Sequence, residues 1–223
     1  MPEHSYLNLF AAPLLWPVVL SAVSVCALVV ADYRHNLKGK YLFKPLAATA
    51  FVWLALLGET TVPVYGQWLI SGLVLCMVGD IFLMFDNDRS FLLGLSSFAL
   101  GHGLYAVAFL QLTGNTTGLL WGALPALVMP ALSLYWLNPY LQGFMQAAVV
   151  FYILVISTML FCAFYSWGLY AAFAIIPGAV GFAISDLAVA RQQFVSPGRV
   201  NGLWGTPLYF ISQMILAFSI TLV

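Results

Sequence analysis

This sequence predicts an all-α fold, a polytopic transmembrane bundle of about eight helices, on three observations. Of 223 residues, 63% are hydrophobic and only 6% are charged, with 7 Lys+Arg against 7 Asp+Glu for a formal net charge of zero. A soluble domain carries about 25% charged residues and no more than half apolar ones. The apolar residues run in continuous stretches near the roughly 20 residues that cross a bilayer, and short polar breaks separate them. The same observations exclude a soluble enzyme, a disordered chain and a nucleic-acid binder, which needs a basic surface. A transmembrane β-barrel is excluded as well, because its strands alternate in polarity over short segments.

The spans are expected at 11–31, 43–59, 66–85, 91–112, 118–137, 142–164, 169–190 and 206–223. No Lys or Arg precedes the first, only Glu3 and His4, so it reads as a span rather than a cleaved signal peptide. The second is short; it opens at Lys44-Pro45, where Pro suits a first helical turn, and closes on an interfacial Glu59. The third carries Gly79-Asp80. On the fourth, Gly94, Phe98, His102 and Tyr105 recur at i, i+4, i+8 and i+11, which is one helix face. The fifth and sixth hold no charge. The seventh holds Ser185-Asp186, a faint echo of Gly79-Asp80 four spans earlier. The eighth is short and sets Tyr209 and Gln213 one turn apart. Trp16, Trp68, Trp121 and Trp204 near span ends fit an interfacial belt. Cys26, Cys76 and Cys162 all fall inside spans, where a thiol packs as a small apolar group, and no CxxC or Cys/His metal spacing exists. The connections are too short for a soluble domain, so residues 1–223 are expected to form a single domain.

The basic residues orient the bundle. Arg34, Lys38, Lys40 and Lys44 flank the first connection, Arg89 lies in the third, and Arg191 and Arg199 in the seventh. The even connections carry none. By the positive-inside rule the odd connections are cytoplasmic and both termini face the non-cytoplasmic side. Asp32, Asp86, Asp88, Arg89 and Arg199 sit where water solvates them.

Asp80 and Asp186 do not. Asp80 lies five residues before Phe85 and Asp186 five before Arg191, and the two spans run the same way, so the carboxylates share a depth about 7–8 Å inside the membrane end. An ionised Asp at the bilayer centre costs about 2.5–3.5 kcal/mol, and such residues face a bundle interior or a wet cavity and read as functional. Simple interhelical hydrogen bonding is the plainer alternative.

Residue counts weigh against several chemistries. A zinc hydrolase needs about three protein ligands, and His102 is the only histidine inside a span, so only His102 with Asp80 and Asp186 could supply them. A serine or cysteine hydrolase needs a nucleophile with an adjacent base, and no GxSxG is present. The segments Met77-Val78-Gly79-Asp80 and Ser185-Asp186 match neither the GxGD nor the YD signature of intramembrane aspartyl proteases. A carboxylate pair does suit acid-assisted cleavage of an ether-like bond. One acid donates a proton while the other carboxylate stabilises an oxocarbenium-like centre or activates water. Two close carboxylates in low dielectric favour one neutral and one charged form. A proton-coupled or lipid-binding transporter is the competing class, because intramembrane Asp residues also serve proton relays.

The ordered set Lys44-Pro45, Gly79-Asp80-Ile81-Phe82-Leu83-Met84, Gly94-x3-Phe98-x3-His102-x2-Tyr105, Gly178-x3-Phe182-x2-Ser185-Asp186 and Tyr209-x3-Gln213 resembles the YhhN-type lysoplasmalogenase family. The resemblance runs from the second span to the eighth. It implies an eight-span hydrolase of the vinyl ether bond of lysoplasmalogens, yielding a fatty aldehyde and glycerophosphoethanolamine or glycerophosphocholine. Neither metal nor cofactor is expected. Asp80 and Asp186 would be catalytic. His102 and Tyr105 would orient a carboxylate or the water, and Ser185, Tyr209 and Gln213 would complete the hydrogen bonding. Lys44 and Arg191 would receive the phosphate head group. The expected partners are a lysophospholipid substrate and membrane lipids, with no nucleic acid. The expected setting is an integral multi-pass one, the inner membrane of a bacterium or the endoplasmic reticulum of a eukaryote. The sequence specifies no oligomeric state.

Overall fold

The computed structural model of the chain describes residues 12–223, so Glu3 and His4 lie outside the described residues. The described residues form eight long helices and no strand: α1 (Ala12–Tyr33), α2 (Leu37–Leu57), α3 (Pro63–Phe82), α4 (Asp88–Phe109), α5 (Thr116–Leu137), α6 (Gly143–Ala163), α7 (Ala172–Ala190) and α8 (Arg199–Phe218). All eight are long and apolar enough to cross a membrane. Short 3₁₀ turns follow α5, α6 and α8, and a π-helical turn, Arg191–Val195, prolongs α7. Asparagines start three helices. Asn36 accepts from Gly39 N at 3.1 Å, Asn87 from Ser90 N at 2.9 Å and Asn115 from Thr117 N at 2.8 Å, each satisfying a donor the first turn would otherwise leave unpaired.

Two helices depart from the expected spans. Neither α2 nor α8 is short: α2 begins at Leu37 rather than 43, and α8 at Arg199 rather than 206. The extra turns are the polar ones, Leu37–Leu42 and Arg199–Gly205. Hydropathy alone does not reveal them, whereas the Asn36 cap and the snorkelling reach of lysine permit them. Lys44 therefore stands two turns inside α2, and Pro45 is a mid-helix proline rather than a first-turn one. Cys26 also departs from expectation, lying exposed on α1, whereas Cys76 and Cys162 are buried.

Consecutive helices pack as hairpins, α1 on α2, α3 on α4, α5 on α6 and α7 on α8; α4 also packs on α6, and α8 on α1 and α2. The α3–α4 contact is the most extensive, and small residues make it possible. A Cβ on Gly72 would stand 2.5 Å from the Tyr105 ring and 2.9 Å from Gly101 O. The core fills with large buried side chains, among them Phe51, Tyr65, Leu73, Phe109, Phe182 and Phe210. Alternation of eight helices gathers the α1–α2, α3–α4, α5–α6 and α7–α8 connections at one end. All seven basic residues lie at that end.

Candidate active site

Asp80 occupies the last turn of α3 and is 2% exposed. The glycine before it admits the Phe98 ring of α4, which a Cβ on Gly79 would meet at 2.7 Å. Asp80 is held on both oxygens. Its Oδ1 meets Lys44 Nζ at 3.3 Å, and its Oδ2 accepts a hydrogen bond from the Tyr209 hydroxyl at 2.6 Å. The early start of α2 makes the first contact possible, since a lysine at a helix terminus would have stayed in the interface.

A relay stands behind Tyr209. Gln213 Nε2 donates to the Tyr209 oxygen at 3.2 Å, and the Tyr105 hydroxyl donates to Gln213 Oε1 at 2.9 Å. Tyr105 and Gln213 are fully buried. The line Tyr105–Gln213–Tyr209–Asp80 thus joins α4, α8 and α3. Tyr105 bears on the carboxylate through two intermediaries rather than by touching it.

Asp186 on α7 is held differently. Its Oδ2 accepts from the Tyr152 hydroxyl of α6 at 2.5 Å. Among the described residues, Lys44 with Asp80 is the one ion pair at either carboxylate. Tyr152 did not emerge from the sequence as a site residue. One signal for it existed: it lies nine residues into α6, deeper than an interfacial aromatic belt, and a buried Tyr hydroxyl requires a partner.

The two carboxylates line one cavity of about 1120 Å³, together with Tyr152, Tyr209, Phe98 and Ser185. Helices α3 and α7 do not pack extensively on each other; the cavity lies between them, walled by α4, α6 and α8. Phe98, Phe182 and Tyr209 pack edge to face at centroid distances of 5.1–6.1 Å, and Phe98 and Tyr209 of this cluster line the cavity.

Other expected site residues make no hydrogen bond to either carboxylate. His102 is fully buried with its ring centroid 4.4 Å from that of Phe182, and neither ring nitrogen has a hydrogen-bond partner among the described residues. It bonds to neither Asp. Ser185 lines the cavity, but its hydroxyl donates to Phe182 O of its own helix at 2.7 Å. Arg191 is not at the cavity wall as expected. The π-helical turn carries it aside, where its Nη1 donates to Asn201 Oδ1 at 2.6 Å. Asn201 in turn donates to Gln192 Oε1 at 2.8 Å and to Ser196 O at 2.9 Å, so this arginine braces the α7–α8 connection. No three His, Cys, Asp or Glu side chains gather as a metal-holding group among the described residues.

The mouth of the cavity lies at the basic end. Lys40, Lys44 and Arg199 line it, with Asp32 and Asp86 beside them. Arg199, expected to be only a solvated charge, takes the position expected of Arg191. It donates to His35 Nε2 (3.3 Å from Nε) and lies 4.9 Å over the Tyr33 ring, tying α8 to the α1–α2 turn. His35 adopts φ 53°, the left-handed region, which a non-glycine residue enters only at a tight turn such as this one.

Residues 39–220 match the YhhN family model, from the first turn of α2 to the end of the last helix. The chain belongs to the YhhN family. Across 158 residues it is 32% identical to a protein named lysoplasmalogenase TMEM86A from Bos taurus, and 34% identical to the lysoplasmalogenase TMEM86A of Homo sapiens. Each match takes in 66% of this chain and 62% of the relative's own length. No solved structure matches. The family match contains Lys44, Asp80, His102, Tyr105, Tyr152, Asp186, Tyr209 and Gln213, and so encloses both carboxylates and every side chain that bonds to them.

Proposed function

We propose that this YhhN-family protein is a membrane hydrolase that cleaves the vinyl ether bond of a lysoplasmalogen. The products are a fatty aldehyde and a glycerophospho-base, glycerophosphoethanolamine or glycerophosphocholine. One observation carries the reading: two carboxylates line one cavity, one paired with a cation and the other not. The relatives' name supports the substrate class. The mouth supports it too, since cationic Lys40 and Arg199 suit a phosphate while Asp32 and Asp86 suit the ammonium of a zwitterionic head group.

The roles follow from the partners. Lys44 balances the charge of Asp80, which therefore serves as the anion. Asp186 has no such cation, and an unpaired charge in a low-dielectric site is costly, so Asp186 carries a proton instead. The Tyr152 hydroxyl on its Oδ2 leaves Oδ1 free to hold and deliver that proton. Asp186 protonates the β-carbon of the vinyl ether. The electron pair of the C=C bond forms the new C–H bond, and an oxocarbenium ion develops at the α-carbon. Asp80 stabilises that cation and accepts a proton from the water that adds there. The resulting hemiacetal collapses: its hydroxyl proton passes to Asp186, its C–O bond to glycerol breaks, and Asp80 returns its proton to the departing glycerol oxygen, so aldehyde and glycerol hydroxyl form and both carboxyl groups regain their starting states. Water is the sole co-reactant. The Tyr105–Gln213–Tyr209 line keeps Tyr209 pointed at Asp80 and acts as a positioning relay.

By the positive-inside rule the mouth faces the cytoplasm, with both termini on the opposite side. The test is purified protein with lysoplasmalogen in detergent, assayed for free aldehyde. The wild type is expected to release it, and Asp80→Asn and Asp186→Asn are each expected to abolish release while the protein remains folded. A transporter would release none. Near-normal turnover in either variant would overturn the two-carboxylate mechanism.

A further inference from the structure

A second cavity opens sideways. It is a cleft of about 430 Å³ between α5 and α7, floored by Leu160 of α6. On α5 it is lined by Val128, Met129, Leu132 and Ser133, at i, i+1, i+4 and i+5, a single helix face. On α7 it is lined by Val180, Ala183, Ile184 and Leu187, again one face. Two such apolar faces would ordinarily close on each other. Here they do not: α5 packs on α6, and α7 on α6 and α8, but α5 and α7 do not pack closely together. Pro125 and Pro130 lie inside α5, and interior prolines bend a helix by removing a backbone donor and crowding the preceding turn. The outer rim is open, with Leu132 63% exposed.

The cleft adjoins the carboxylate cavity. Met129, Ser133 and Leu187 line both, and Leu187 directly follows Asp186. From that threshold the cleft runs along α7 to Val180, two turns farther from the basic end. A lipid with its head group at the basic mouth and its reacting bond at the carboxylates needs such a route for its tail. The tail must leave that level sideways, toward the bilayer centre, through a wall of hydrocarbon.

We propose that the α5–α7 cleft is the lateral passage that seats the hydrocarbon chain of the lipid substrate and returns the chain-bearing product to the bilayer. This rests on the lipid-hydrolase reading above and names the binding site of its apolar half. Depth and width of the cleft then set the chain preference, and a chain too short to reach it gains nothing from it.

The test fills the cleft from its lipid-facing rim, away from the threshold. In Val128→Trp/Ile184→Trp the two indoles occupy it, and Leu56→Trp on the exposed face of α2 serves as control. Turnover is measured on a long-chain lysoplasmalogen and on a short-chain, water-soluble vinyl ether analogue. The ratio of long-chain to short-chain turnover is expected to fall at least tenfold in the double variant and to stay unchanged in the control. An unchanged ratio in the double variant overturns the passage. If the double variant loses both activities, the wild type decides. A lysophospholipid carrying a photoreactive diazirine near its chain terminus, in phosphatidylcholine vesicles, is expected to label α5 and α7 at the cleft; labelling spread evenly over exposed helix faces overturns the proposal. That labelling needs no turnover. If the wild type releases no aldehyde, the hydrolase reading fails while the labelling still decides the passage.

Discussion

At the residue scale the two aspartates are chemically identical and are separated only by their neighbours. Asp80 has a lysine and a tyrosine; Asp186 has a tyrosine alone. The sequence marks both aspartates, because a carboxylate among apolar residues stands out by its cost. It does not mark Tyr152, because a tyrosine between Phe151 and Ile153 looks like packing, and its value depends on where α6 sits relative to α7. Arg191 and Arg199 are likewise equivalent as letters, and only the π-helical turn decides that the first braces the connection and the second lines the mouth. Removing the Tyr152 hydroxyl deletes one hydrogen bond to Asp186, worth about 1.5–3 kcal/mol once that group gives up its proton in the reaction and becomes charged. Tyr152→Phe is therefore expected to slow turnover roughly tenfold to a hundredfold, with KM little changed, in steady-state aldehyde assays. Gln213→Met leaves the Tyr105 and Tyr209 hydroxyls without their shared partner. It is expected to lower turnover in the same assay while long-chain and short-chain substrates fall together, since the relay touches the acid–base centre and not the chain.

At the element scale, helix existence was legible and helix starts were not. Six of the expected spans fall within about three residues of the helices at each end, because sustained hydropathy reports hydrocarbon contact. Helices α2 and α8 start six and seven residues before their apolar runs, because their first turns are polar and hydropathy cannot distinguish a polar helix turn from a loop. The difference matters for function, since the early start of α2 is what lets Lys44 reach Asp80. The α3–α4 contact is also an element-scale matter. Gly72 and Gly101 let the two backbones close up, which sets the Gly79 end of α3 against Phe98. A Cβ on Gly101 would stand 2.9 Å from Cys76 Sγ and 3.0 Å from Gly72 O. Gly101→Val is expected to part the helices, lowering the unfolding midpoint in detergent and, with it, activity; a midpoint unchanged from wild type would contradict the close-packing account.

At the scale of the whole molecule, the basic residues and the cavity mouth share one end of the bundle. The charge pattern foresaw a shared end for the lysines and arginines, but nothing in a linear sequence says that a cavity opens there. Lys38 is exposed in the first turn of α2, and Glu59 is exposed in the α2–α3 connection at the other end. With Cys26 replaced by Ser, a membrane-impermeant maleimide is expected to label Lys38→Cys only from the cytoplasmic face and Glu59→Cys only from the opposite face. The reverse pattern would invert the orientation.

The cleft opens at the side of the bundle and the mouth at its basic end, so on the proposed reading one meets hydrocarbon and the other water. On the proposed reading the two fragments of a single lipid therefore part company without competing for an exit. The water-soluble half drains into one compartment, and the oily half never leaves the membrane. A lipid in the opposite leaflet has its head group on the wrong side of the bundle and is spared. Such an enzyme would edit one face of a bilayer and leave the other face as a reservoir, tapped only as fast as lipids cross.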